Sequence, residues 1–256
     1  MAVAALALLY VERRQLLDDS ASVGVTYWTA IGEVRHLDLQ GGRRVDLNTG
    51  SQIRIHLGSG GYVVVLTRGE ARFRVQHNEH NDRVPFLVSA GSASMKSADA
   101  DFSVRLVNSS QLDVLVESGR VDIGVAAPDA PAVSLWWSPA VSVSASSGEA
   151  ILLRSGAVYA RQKLSRAAVE RRTAWTDGWI WFFEEPLPQA IAEFNRYHEQ
   201  QLVLVDPRLA SLEIGGRFRS SDLDSFIATL EHSFDVRTAS TTVPGATATT
   251  IYLTEG

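Results

Sequence analysis

The densest group of candidate metal ligands in the sequence is the stretch at residues 77–82, which contains two histidines and two acidic residues. Imidazole nitrogens and carboxylate oxygens are ligands that zinc and similar divalent ions accept. The stretch lies between two strand-like segments, however, and its asparagine and aspartate content is typical of an exposed turn. No other histidine is placed to complete a tetrahedral set of ligands. We therefore predict a solvated loop at these residues, with no bound metal or other cofactor.

Residues that could act in catalysis form no recognisable arrangement. Glu184 and Glu185 are adjacent, and adjacent side chains of a strand point to opposite faces, so their carboxylates cannot flank one bond. The glycine-rich residues 58–61 are not followed by a helix that could hold a phosphate group. The sequence lacks a Gly-x-Ser-x-Gly nucleophile motif, and the absence of cysteine excludes disulfides, thiolate metal sites and thiol nucleophiles. These features predict that the chain is not an enzyme.

The elements that position these residues belong to a chain of 256 residues, of which 45% are apolar. This composition is sufficient to bury at least one hydrophobic core, and the length is typical of two domains. The formal net charge of −5 argues against nucleic acid as a partner, because phosphate binding requires a basic surface.

The first part of the chain, from Val25 to about Val158, has apolar residues at every second position. Successive side chains of a strand point to opposite faces, so this alternation predicts half-buried strands. Clusters of glycine, asparagine and serine divide the pattern into about twelve short strands with no helix between them. A sandwich, a barrel and a solenoid-like stack all fit this pattern.

The residue pattern in the last part of the chain predicts a mixed α+β structure. Trp179, Trp181 and Phe183 alternate with Ile180 and Phe182 on one strand, which therefore has two apolar faces. Apolar residues at helical spacing predict helices near residues 187–198 and 223–234. Further strands are predicted at residues 201–205, 212–219, 235–239 and 247–253. Such a β-α-β, β-α-β unit buries its helices against one face of a sheet.

These patterns divide the chain into four regions. An all-β domain covers residues 25–163, a linker covers residues 164–174, and an α+β module covers residues 175–256. Residues 2–11 form an unbroken apolar run that is too short to span a bilayer. The run fits either the start of a buried helix or, as we prefer, the second half of a membrane helix, so residues 1–24 are interpreted as the remnant of that helix and a juxtamembrane segment.

The β-rich part resembles the FecR-like family in four segments, at residues 26–55, 63–75, 84–91 and 116–123. The spacing is carried by Tyr27, Thr29, Gly32, Glu33, Leu47, Asn48 and Ser51, then by Leu66, Gly69, Glu70, Ala71, Phe73 and Val75. The module continues the resemblance through Trp175, Gly178, Leu187, Phe194, Asn195, Arg196, Tyr197, Gly216, Phe218, Asp222, Phe226 and Leu230. The resemblance therefore covers residues 25–254 in one order.

FecR-like proteins are inner-membrane regulators of cell-surface signalling, and the resemblance implies a periplasmic location with a single-helix anchor in the inner membrane. It implies that the α+β module is similar to the secretin and TonB short N-terminal domain. Its partner would be the signalling domain of a TonB-dependent outer-membrane receptor, and the controlled protein an extracytoplasmic-function sigma factor. The sigma factor would bind only through an N-terminal cytoplasmic segment that this sequence does not contain.

Recognition of that partner is expected at an exposed strand edge, because open sheets readily add a strand. The candidate strands lie at residues 212–218 and 251–253, although each could equally be an interior strand. The candidate partner-binding residues are Leu212, Ile214, Arg217, Phe218, Ile251, Tyr252 and Leu253.

Two further expectations follow from individual residues. Some FecR-like members cut themselves at a glycine–threonine bond, where this chain has Asp99 and Ala100. These residues supply no hydroxyl nucleophile for an acyl shift, so we predict no cleavage there. Trp28 and the pair Trp136 and Trp137 suggest an alternative function, the binding of carbohydrate or cell wall.

Overall fold

The computed structural model describes residues 24–58, 61–76, 86–125, 141–234, 236–242 and 249–255. The first twelve strands in this part of the chain are β1 (Val25–Trp28), β2 (Arg35–Leu39), β3 (Arg43–Leu47), β4 (Gln52–Gly58), β5 (Gly61–Val75), β6 (Phe86–Ala90), β7 (Ala93–Ser97), β8 (Ala100–Asn108), β9 (Gln111–Val125), β10 (Val141–Ser146), β11 (Glu149–Arg154) and β12 (Ala157–Lys163). Within these described residues, no helix interrupts the series, as the alternating pattern predicted.

The twelve strands form two sheets that share the long strands β5 and β9. Residues 62–66 of β5 pair with β6, whereas residues 69–75 pair with β8. In β9, residues 111–119 pair with β8 and residues 122–125 pair with β7. One sheet has the order β1-β4-β5-β6-β7-β9-β10, and the other has the order β2-β3-β5-β8-β9-β11-β12.

Gly69 and Gly119 lie where β5 and β9 pass from one sheet to the other. Their φ angles are +83° and +75°, which side chains of L-residues rarely adopt. Both sites are also crowded. A Cβ atom at Gly69 would overlap Ser51, and a Cβ atom at Gly119 would overlap the carbonyl oxygen of Asp99. Glycine is therefore required at both bends by conformation and by space.

Apolar residues of both sheets form one hydrophobic cluster. Phe73 lies at its centre, with its ring 5.9 Å from that of Phe86 and 5.2 Å from that of Phe102. Phe86 belongs to one sheet, whereas Phe102 belongs to the other. Two sheets around one core correspond to the sandwich, which was one of the architectures left open by periodicity.

The remaining elements form the α+β module and the segment that leads into it. They are α1 (Arg166–Thr173), a 3₁₀ helix (Ala174–Asp177), β13 (Trp179–Pro186), α2 (Leu187–Asn195), β14 (Gln201–Leu204), a second 3₁₀ helix (Pro207–Ser211), β15 (Glu213–Arg219), α3 (Leu223–Phe234), β16 (Val236–Thr242) and β17 (Thr249–Glu255). The order matches the prediction, a β-α-β, β-α-β series followed by a last strand. Mainly β followed by α+β is therefore confirmed as the fold class.

The five strands of the module form two separate sheets. The prediction that they form a single sheet was therefore wrong. β13 pairs with β15, while β17 lies between β14 and β16. Helix α2 contacts β13 and β14, and helix α3 contacts β15 and β16, so each helix packs on both sheets. The apolar stripes of the helices indicated burial, but periodicity does not specify which strands pair.

The module has a hydrophobic cluster of its own, built around aromatic rings. The rings of Phe194 and Phe226 stack with their centroids 4.0 Å apart, and Phe182 and Phe218 pack against this pair. The strand β13 divides as its alternation predicted: Ile180 and Phe182 face this core, whereas Trp181 and Phe183 are on the opposite face.

Candidate partner-binding surfaces

The seven candidate partner-binding residues lie in two different sheets and have very different exposures. Ile214 and Leu253 are buried in the core of the module, and Leu212 and Phe218 are partly buried against it. Tyr252 is half-buried, whereas Arg217 is exposed. The side chain of Ile251 lies outside the described part of the structure. Arg217 is thus the one described member of the set whose side chain is largely available to a partner.

Strand β17, which carries Ile251, Tyr252 and Leu253, has no free edge over these residues. Leu202, Val203 and Leu204 of β14 pair with them on one side. Residues 238–240 of β16 pair with them on the other side. Of the two alternatives left open for residues 251–253, the structure has the interior strand, because β17 forms backbone hydrogen bonds with two neighbours.

Strand β15, in contrast, pairs with β13 alone among the described strands. Its exposed residues include Gly215, Arg217 and Arg219, and its buried residue Ile214 faces the core. The ribbon formed by β13 and β15 thus has a packed inner face and a largely accessible outer face.

The outer face of this ribbon carries aromatic rings with arginines stacked on them. The guanidinium carbon of Arg219 lies 3.8 Å from the ring centre of Trp179, and that of Arg217 lies 4.3 Å from the same centre. Arg171 of α1 similarly lies 4.9 Å from the ring of Phe183. Trp181 is 37% exposed and Phe183 is 58% exposed. Cation–π contacts hold the arginines in place without neutralising their charge.

A second polar region joins the β domain to the module. Arg196, at the end of α2, donates from Nη2 to Oε2 of Glu70 on β5 at 2.6 Å, and from Nη1 to Oε1 of Glu193 at 2.5 Å. Asn48 donates from Nδ2 to Oε2 of Glu70 at 2.9 Å and to the hydroxyl of Tyr197 at 3.0 Å. These residues form one network across the boundary, which we call the boundary network.

Burial and the neighbouring positive charges shift the pKa of Glu70 in opposite directions. Burial by itself would raise the pKa of Glu70, but the guanidiniums of Arg196 and Arg105 and two side-chain hydrogen bonds outweigh it, so the pKa is lowered. Burial raises the pKa of Tyr197, with the carboxylate of Glu193 adding to the effect. Glu70 is therefore ionised and Tyr197 is neutral at neutral pH.

Two further ion pairs connect the same parts of the chain. Arg105 of β8 donates from Nη1 to Oε2 of Glu193 at 3.1 Å, and Arg172 of α1 pairs with Asp113 of β9. The hydroxyl of Thr49 also donates to the carbonyl oxygen of Arg196 at 2.9 Å. Sequence reasoning named Asn48, Arg196 and Tyr197 as carriers of the resemblance but did not predict that they meet.

A cleft of about 530 Å³ lies beside the boundary network. Its walls include Arg105, Asp113 and Trp175 as well as Trp181 and Phe183. The buried Nε1 of Trp175 and Oδ1 of Asp113 have no hydrogen-bond partner among the described residues.

Some of the sequence predictions concern residues that lie outside the described part of the structure. The stretch at residues 77–82, the pair Trp136 and Trp137, and residues 2–11 lie outside the described part. Trp28 is 59% exposed on β1. Among the described residues, no three His, Asp or Glu side chains are grouped as metal ligands. Within the same residues, no helix combines the length and hydrophobicity required to cross a bilayer.

Comparison with known proteins agrees with the first part of this architecture. Residues 25–122 match the family model described as FecR protein. The predicted resemblance to the FecR-like family is therefore confirmed, on a match that begins at residue 25 and covers 98 of the 256 residues. A search of curated proteins gave no match.

Solved structures extend the likeness of fold to most of the chain. Two crystal structures, at 2.50 Å and 1.65 Å resolution, are of a protein from Parabacteroides distasonis ATCC 8503 that has been assigned as an anti-sigma factor. Each superposes with a TM-score of 0.66 at 22% sequence identity and covers 91% of this chain. This chain in turn covers 100% and 99% of the two solved chains. At this identity, the likeness concerns the fold.

Proposed function

We propose that the chain is the periplasmic part of a regulator that controls a sigma factor from the inner membrane. Its partner would be the signalling domain of a TonB-dependent outer-membrane receptor, and its action would consist of binding without catalysis. The observation that carries the proposal is the FecR family match at residues 25–122, followed by an α+β module with an accessible strand ribbon.

The proposal includes a division of labour between the parts of the chain. The β domain at residues 25–163 would act as the rigid support, the segment 164–174 as the connection, and the module at residues 175–256 as the docking part. The apolar residues 2–11 would belong to the membrane helix. A cytoplasmic segment preceding that helix would bind the sigma factor.

Two features of the structure support a role in binding another protein. The outer face of the ribbon presents exposed aromatic side chains and arginines, which are enriched at protein interfaces. The boundary network holds the module against the β domain through buried polar contacts. A docking part in a fixed position can transmit the binding of a partner to the rest of the protein.

Titration calorimetry of the whole chain with the signalling domain of the receptor encoded beside it tests the proposal directly. We expect a saturable heat and a complex that survives gel filtration, with a dissociation constant on the order of 10 μM or tighter. The signalling domain of a receptor encoded elsewhere serves as the control and should bind more weakly. The absence of heat and of a complex at that concentration would contradict the proposal.

A further inference from the structure

The free edge of β15 has a defined backbone orientation that follows from one hydrogen bond. The N–H of Ser220 donates to the carbonyl oxygen of Gly178 at 3.0 Å, directly after the paired residues Trp179 and Arg219. In an antiparallel ladder, hydrogen-bonded and non-hydrogen-bonded pairs alternate. Arg219 and Arg217 therefore belong to non-hydrogen-bonded pairs, and their N–H and C=O groups point away from β13.

The N–H and C=O of Arg217 and the N–H of Arg219 supply hydrogen-bonding groups for an added strand, whereas the carbonyl oxygen of Arg219 already accepts from the N–H of Asp222 at 3.1 Å. No described strand pairs with this side of β15. Gly215 is exposed and no atom lies within 4 Å of the position of a Cβ, so the outer face of the strand is open at this residue. On the same outer face, Arg217 and Trp181 line a groove of about 700 Å³.

The side chains beside the edge define the chemistry of the strand that it would accept. Arg217 and Arg219 lie on the outer face, where both guanidiniums stack on Trp179 and Nη1 of Arg219 also donates to the carbonyl oxygen of Asp177 at 3.4 Å. Phe218, between them, points to the inner face and packs against the core of the module. A strand beside β15 would place acidic residues next to the two arginines and an apolar residue next to Phe218.

We propose that the free edge of β15 binds an extended strand of the protein partner in which acidic residues alternate with apolar ones. The inference rests on the proposed function for the identity of the partner. Backbone hydrogen bonds at Arg217 and Arg219 supply affinity, and the two guanidiniums select the acidic face of the strand. The positive charge of Arg217 and Arg219 distinguishes the edge of β15 from that of β14. The exposed side chains on and directly after β14, Val203 and Val205, are apolar.

A matched pair of variants separates the backbone contribution from that of the side chain. Arg217→Ala removes the guanidinium but keeps the outward N–H, whereas Arg217→Pro removes both. Proline is tolerated at an edge position whose N–H does not bond within the sheet, so the ribbon is retained. We expect Arg217→Pro to bind the signalling domain about tenfold more weakly than Arg217→Ala. Arg217→Ala should itself bind more weakly than the unchanged chain, with a smaller dependence on salt.

Hydrogen exchange of the unchanged chain provides a second measurement that does not depend on the folding of a variant. On binding of the signalling domain, the amides of Arg217 and Arg219 should become protected. A short synthetic peptide in which glutamate alternates with valine should protect the same amides, and the same peptide with lysine in place of glutamate should not.

The outcomes distinguish the two proposals. If the signalling domain binds, but Arg217→Pro equals Arg217→Ala and the two amides stay unprotected, the edge is not the docking site and the proposed function stands. If the signalling domain does not bind while the acidic peptide does, the edge is retained and the proposed function fails. Protection caused by concentration of the chain alone would assign the edge to a second copy of this chain and would overturn the inference.

Discussion

Nη2 of Arg196 lies 2.6 Å from Oε2 of Glu70, although the two residues are 126 positions apart in the sequence. Their side chains are only 19% and 8% exposed. The pair connects α2 of the module to β5 of the β domain, in a position where neither charge is well solvated. The contact between the two parts therefore includes an ion pair that depends on the ionisation of Glu70.

Replacing Glu70 with glutamine should destabilise the chain strongly. The variant keeps the shape of the side chain but leaves Glu193 as the carboxylate partner of Arg196 among the described residues. Removing one partner of a buried pair costs about 3 kcal/mol. Urea unfolding followed by circular dichroism measures the loss. Arg166→Gln is the matched control, since its pair with Glu170 is exposed on α1 and should contribute little. Equal losses of unfolding free energy in both variants would show that the buried pair of Glu70 contributes no more than an exposed pair.

The contribution of Glu70 should depend on pH in one direction. Its pKa is lowered in the folded chain relative to its ordinary value of 4.5, so the unfolded chain binds more protons between the two values. Stability from Glu70 is thus fully present above about pH 4.5 and is lost as the pH falls through the folded pKa. The difference in unfolding free energy between the unchanged chain and Glu70→Gln should therefore narrow in acid. A difference that widened on acidification would mean that the pKa is raised.

Replacing Phe194 with alanine should unfold the module or destabilise it severely. The ring is fully buried and stacks on Phe226, and truncation of a buried phenylalanine costs about 3–5 kcal/mol. Phe183→Ala removes an aromatic ring of the same size that is 58% exposed on the outer face. Differential scanning calorimetry should show a large decrease in melting temperature for the first variant and a small one for the second. Comparable decreases in the melting temperature of the two variants would contradict the prediction and indicate that the ring of Phe183 is packed.

Replacing Gly119 with alanine should disturb the passage of β9 between the two sheets. The residue has φ +75°, and the new methyl group would overlap the carbonyl oxygen of Asp99. Gly50→Ala is a suitable control because Gly50 has φ +58° but no atom within 4 Å of its Cβ position. Both variants carry the cost of a left-handed conformation, of about 1 kcal/mol, whereas the overlap adds to the first alone. Denaturant unfolding of the two variants measures the difference, and equal values would exclude a steric role.

The bond between Asp99 and Ala100 should remain intact in purified protein. Asp99 offers a carboxylate, and Ala100 has no hydroxyl group that could attack the preceding carbonyl carbon. Mass spectrometry of freshly prepared chain should show one species of full length, and incubation for days should not change it. Two fragments that meet at residues 99 and 100 would refute this prediction.

The sequence by itself determined the local structure and the class of fold. Strict alternation in the first part predicted strands, because side chains on a strand point to opposite faces wherever the strand lies. The helical spacing of Leu223, Phe226 and Leu230 predicted α3 for the same local reason. The resemblance to the FecR-like family was likewise visible in the sequence, in residues such as Gly69, Glu70 and Phe73 that match the motifs of that family.

Only the tertiary structure decided which strands pair, which edge is free and which charges meet. Edge and interior positions were both open for β15 and β17; β17 lies in the centre of its sheet, whereas β15 pairs with one strand only among the described residues. Asn48, Glu70, Arg196 and Tyr197 come together from two distant parts of the chain. Periodicity reports the direction of each side chain relative to its own backbone, whereas pairing and ion contacts depend on packing between segments far apart in the sequence.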